Sequence, residues 1–101
     1  MSGQRLKILF NDFINSHKNY KLVDIVINYY GVIKSAHIGL ILMTEKEKEN
    51  FYINNYNQCV EELSKKLNEN NIIEICNFKY EVFSKEVIDK EYNGNYYYAM
   101  H

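Results

Sequence analysis

The residues of this chain whose types and spacing bear on chemistry are few. Asp24 and His37 fall in one apolar stretch, Lys21 to Met43. If that stretch folds back on itself, both face the same side. A carboxylate that orients an imidazole is the second half of a catalytic triad. Ser35 is a same-face neighbour, but no nucleophile motif surrounds it. A polar pair on the outer, solvent-facing side of a sheet explains Asp24 and His37 as well. His17, His37 and His101 have no i,i+4 pairing and no carboxylate cluster beside them, so no metal site is expected. Glycines stand at 3, 31, 39 and 94, and none opens a helix as a phosphate loop does. Cys59 and Cys76 form no CxxC and lie in apolar-patterned segments. They read as reduced, buried thiols. No cofactor is expected, and the chain is read as non-enzymatic.

Tyrosine is the conspicuous residue. Tyr92, Tyr96, Tyr97 and Tyr98 cluster near the C-terminus, and Tyr52 and Tyr56 sit on a predicted helix. Tyr is favoured at protein interfaces, so Tyr52, Tyr56, Tyr96, Tyr97 and Tyr98 are the candidate interface residues. Half-buried strand aromatics are the plainer explanation of the C-terminal group. Stacking on single-stranded nucleic acid needs flanking basic residues. Lys79, Lys85 and Lys90 stand among Glu81, Glu86, Asp89 and Glu91, so no nucleic-acid partner is expected.

Composition sets the frame. The chain has 101 residues, 47% hydrophobic and 25% charged, with a formal net charge of −1. That is the size of a single domain, 1–101, with ordinary globular composition. No net field draws it to nucleic acid or to an anionic membrane. The start, MSGQRLKILF, is too interrupted for a signal peptide, and no apolar run reaches the ~18 residues of a membrane span. A soluble, cytoplasmic protein is the expectation.

The elements follow from periodicity. Leu6, Leu9, Phe10, Phe13 and Ile14 share one face of a helix running from Ser2 to about Ser16. From Lys21 to Tyr30, Val23, Ile25, Ile27 and Tyr29 alternate as in a strand, although Leu22, Val26, Tyr29 and Tyr30 also recur at helical spacing. β-branched density favours the strand. A turn at Tyr30-Gly31 pairs Asp24 with His37, whereas a loop from Asn28 to Gly31 pairs Asp24 with Ser35. Either way Val23, Ile25, Ile27, Tyr29, Val32, Ala36, Ile38 and Leu40 share the core face. Asp24, Asn28, Ser35 and His37 share the other.

Thr44 and Glu47 form a capping box, opening one helix to about Leu67 with a stripe of Ile53, Tyr56, Val60, Leu63 and Leu67. Ile72, Ile73 and Ile75 start a strand that ends near Asn77. Lys79 to Ile88 alternates as another. Asn93-Gly94 is a strong hairpin signal, returning Asn95 to Met100 as a final strand. The expected fold is α+β, in the order α-ββ-α-βββ. Its sheet is mainly antiparallel and five-stranded, with two helices packed on it.

That order, with VDIVINYYGVIKSA, resembles the roadblock/LC7 class: a hydrophobic strand, Val23 to Ile27, then Gly31, then a small-residue end at Ser35-Ala36. The resemblance implies a non-enzymatic, homodimeric scaffold associated with small GTPases. The expected partner is a protein, by self-association, with no membrane. The alternative is a small phage or mobile-element accessory protein that binds and occludes a host protein complex.

Overall fold

The computed structural model describes residues 3–30, 32–33, 35–69 and 77–99. Helix α1, Gly3–Ser16, lays Leu6, Phe10 and Phe13 into the core as its spacing requires. Ser2, its expected cap, lies outside the described residues. A 3-10 turn, Lys18–Tyr20, buries Tyr20 and ends at Lys21 in the left-handed region. Strands β1, Asp24–Tyr30, and β2, Ser35–Leu42, then form an antiparallel hairpin. The strand reading of Lys21 to Tyr30 therefore holds over its main part.

The hairpin register differs from both expected ones. Tyr30 pairs with Ser35, Asn28 with His37 and Asp24 with Ile41, so the connection spans 31–34. The shift keeps alternation intact: Ile25 opposes Leu40 and Ile27 opposes Ile38 on one face. It moves Val32 out of the core to 99% exposure at the tip, with Ile33 at 67%. Val23 and Tyr29, also expected inside, are 40% and 37% exposed. Placing the loop later gives β1 its full pairing length and leaves Val32 and Ile33 outside the core.

The expected single helix is two, α2 Glu45–Asn54 and α3 Tyr56–Glu69, broken at Asn55. Thr44 caps α2 as the sequence indicates, with Oγ1 accepting the Glu47 N–H at 3.2 Å. The break has a local cause. The Asn54 amide donates to the Asn50 carbonyl at 3.1 Å, competing with the helix backbone. The break rephases the apolar stripe. Phe51 turns inward and Ile53 is 80% exposed, while Cys59, Leu63 and Leu67 keep the buried line on α3.

The last third corrects the expected five-stranded sheet and two helices. Of the strands expected there, the one over 72–76 lies outside the described residues. The stretch read as a strand from Lys79 to Ile88 is a strand only to Ser84: β3 is Asn77–Ser84. Ser84 then caps α4, Lys85–Glu91, its Oγ accepting the Val87 N–H at 3.3 Å. Lys85 and Asp89 close an i,i+4 pair at 2.8 Å. Alternation through Val87 and Ile88 is overridden by a good cap.

Asn93 and Gly94 do take the left-handed conformations a hairpin turn needs, φ 51 and 77. They use them to stop a helix, and the Gly94 N–H returns to the Ile88 carbonyl at 3.0 Å. Asn95 caps the next segment by accepting the Tyr98 N–H at 3.2 Å, so Tyr96–Ala99 is a single helical turn, α5, and not a strand.

Among the described residues the sheet has three strands in the order β1-β2-β3. β3 runs parallel to β2, which α2 and α3 make possible as a helical crossover. The fold is α+β, with α1–α4, the short α5 and a mixed sheet. The three-strand finish behind the roadblock-like order is therefore replaced in this part of the chain. Helices α1–α3 close one sheet face around Ile25, Ile38, Leu40, Leu42 and Val82. The other face, expected to meet solvent, carries the fully buried Ile41. Ile88 of α4 is buried too, and α5 reaches the strands through Tyr96 and Ala99. Glu86 fastens α4 to the end of β2: its N–H donates to the Met43 carbonyl at 3.1 Å, and its carboxylate accepts the Glu45 N–H at 3.0 Å.

Candidate functional site

The register separates Asp24 from His37. Asp24 stands opposite Ile41, four positions along β2 from His37. The carboxylate that reaches His37 is Glu81 of β3, with Oε1 3.0 Å from Nε2. His37 is only 8% exposed, between Asn28 of β1 and Lys79 of β3 in the register. Tyr30, Ser35, Lys79 and Glu81 surround it in a pocket of about 430 Å³ that Ala99 of α5 helps to line. Glu81 carried no signal in the sequence, because its place beside His37 depends on parallel pairing across 44 residues. His37 and Glu81 make an oriented imidazole. No described hydrogen bond joins Ser35 to it.

A second histidine is held more tightly. His17 lies between the rings of Phe13, at 4.3 Å, and Tyr20, at 5.3 Å. Its Nδ1 is 3.0 Å from the Phe13 carbonyl. Its Nε2 lies 2.6 Å from the Glu62 carboxylate on α3. Burial and the neighbouring Glu62 push the Tyr20 phenol up to about 12. This assembly ties the end of α1 to α3.

Cys59 is free and buried, as expected, and burial raises its thiol to about 12. Cys76 lies outside the described residues. Among the described residues no group of three or more His, Cys, Asp or Glu side chains is placed to hold a metal ion. Nor is any helix there long and apolar enough to cross a membrane.

The tyrosines chosen as interface residues do not form one patch. Tyr52 and Tyr56 contact each other at 5.1 Å on α2 and α3, over the core side of the sheet. Tyr56 also packs on the core. Tyr96 and Tyr98 belong to α5 on the opposite side, with Tyr98 68% exposed. The side chain of Tyr97 lies outside what is described.

The hairpin, whose edge is less charged than the C-terminal one and so was expected to favour self-association, also exposes Tyr29 and Val32, which were expected in the core. Tyr29, Tyr30, Val32 and Ile33 crowd its tip. Among the described residues β1 is an edge strand, and a cleft of about 690 Å³ runs beside it. Leu6 and Phe10 of α1 line the cleft on one side and Asn93 to Tyr96 on the other. The signal available in the sequence was Tyr-Tyr-Gly-Val-Ile, apolar residues flanking a glycine where turns are usually polar. No family model matches the chain, and neither a curated protein nor a solved structure matches it.

Proposed function

We propose that this chain is a non-enzymatic protein-interaction module that associates with itself through the β1–β2 hairpin. The observation that supports the reading is the apolar tip, above all Val32 and Ile33. Fully burying an aliphatic side chain is worth about 1.5–3 kcal/mol, so covering these two supplies several kcal/mol toward association. Little of that energy is used within the fold, since Val32 and Ile33 remain mostly exposed. The adjacent edge of β1 adds main-chain groups for pairing. Light scattering at high micromolar concentration tests the reading. The wild type is expected to be a dimer or larger. The double variant Val32→Asp, Ile33→Asp is expected to be a monomer with unchanged thermal stability. A wild type that stays monomeric sinks the proposal.

A further inference from the structure

Among the described residues the edge of β1 is shaped as a vacant strand position. A residue of strand occupies roughly 3.3 by 4.8 by 10 Å, on the order of 160 Å³, so a 690 Å³ cleft holds about four residues. The backbone is set for pairing in only one half of the strand. The Val23 N–H bonds to the Ile41 carbonyl at 2.8 Å, and Asp24 is paired with that same Ile41. Two residues facing one form a bulge, a device that ends edge pairing. Just beyond it, the Ile25 N–H points outward and is capped by the Asp24 carboxylate at 2.8 Å. By strand alternation the main-chain groups of Ile27 also point outward, and no charged side chain follows Asp24 in β1.

Asn28 lies in that pairing-competent half and lines the cleft. Its Nδ2 is buried and has no hydrogen-bond partner among the described residues. A buried amide donor left unpaired is unfavourable, so a turn of this side chain toward an acceptor brought by an occupant of the cleft is favoured.

We infer that the occupant is β1 of a second copy of this chain, paired antiparallel about a two-fold axis at Asn28. This inference rests on the self-association proposed above and specifies its geometry. The axis sets Asn28 opposite Asn28 of the second copy, and each amide Nδ2 takes the other's Oδ1. One Asn pair at a symmetric interface fixes register, as it does in coiled coils. Val26 then faces Tyr30 of the second copy, apolar on apolar. The overlap runs from Val26 to Tyr30, of which Val26 to Asn28 line the cleft, and leaves the bulge and Asp24 outside. Moving the axis to Ile27 instead places Asn28 on Val26 and Tyr30 on Asp24. Moving it to Val26 runs the pairing into the bulge.

Cysteine crosslinking tests the axis, since only a residue on it bonds to its own copy. The variants carry Cys76→Ser, and Cys59 is buried. Non-hydrogen-bonded antiparallel partners have Cα atoms about 4.5 Å apart, within the span of a disulfide. Under mild oxidation Asn28→Cys is expected to form dimers at least about tenfold faster than Val26→Cys or Tyr30→Cys alone. A mixture of Val26→Cys with Tyr30→Cys is expected to crosslink between the two variants. That mixture decides the matter if Asn28→Cys does not fold. A dimer by light scattering in which neither Asn28→Cys nor the mixture crosslinks overturns this geometry and leaves self-association standing. A monomer overturns both, and points to an extended segment of another protein as the occupant.

Discussion

The two strands of the hairpin have similar composition and different fates. β2, SAHIGLIL, is buried at every residue from Ala36 to Leu42. β1, DIVINYY, is buried only at Ile25 and becomes exposed toward Tyr30. Local propensity does not separate them, since both are rich in β-branched and large apolar residues. Position does. β2 lies between two strands and under helices on both faces, and among the described residues β1 has one neighbour and an open edge. The apolar residues of β2 are accounted for by the core. Val32 and Ile33 in the loop stay mostly outside it. That contrast is the reason the proposed association is placed at the hairpin edge, ahead of the more chemically suggestive His37.

The sharpest way to break the contrast is to truncate both strands. Leu40→Ala, at a fully buried site, is expected to cost about 2–5 kcal/mol. Tyr30→Ala, at the exposed end of β1, is expected to cost less than about 1 kcal/mol. Urea unfolding reads the difference as a lower midpoint at unchanged slope for the first variant alone. Equal losses would mean that the end of β1 is packed after all, and the case for a spare apolar tip would go with it.

Much of the frame was legible in the sequence, and the reason is periodicity. α1, the hairpin faces and the Thr44 cap each follow from spacing within one element. The failures came where two structures share one local signal. Asn93-Gly94 needs left-handed backbone in a hairpin and at a helix stop alike. Ser84 ends a strand by beginning a helix, and alternation continues through Val87 and Ile88 as if nothing had changed. The Asn28–His37–Lys79 row was out of reach for another reason. It depends on which strand lies beside β2 and in which direction, and no single segment encodes that.

The core side of the sheet also makes a smaller, pH-dependent prediction. Burial, more than any neighbouring charge, raises Tyr20, Tyr80 and Cys59 to about 12. The Tyr80 hydroxyl meets Ser64 of α3 at 2.6 Å, which lowers its value only in part. Each group is held protonated by the fold and ionises more readily in the unfolded chain, at 9.0 for Cys59 and 10.0 for the tyrosines. Their contribution to stability is whole below pH 9 and is lost as pH rises toward 12. Melting temperature is expected to fall steadily above pH 9. Tyr80→Phe should be less stable at pH 7 yet show a shallower alkaline decline. An unchanged slope in that variant would show that Tyr80 is solvated in the native state.

The smallest expected effect tests the hairpin from the opposite direction. Val32→Ser removes a large apolar surface at a position that touches nothing, so unfolding free energy should stay within about 0.5 kcal/mol of wild type. Association should nevertheless weaken, because the same methyl groups are the ones a second copy would cover. The two measurements must diverge for the edge to be functional. If stability falls with association, Val32 is anchoring the hairpin within its own chain. If neither moves, the tip is ordinary exposed surface, and the pairing must be sought in the main chain of β1 alone.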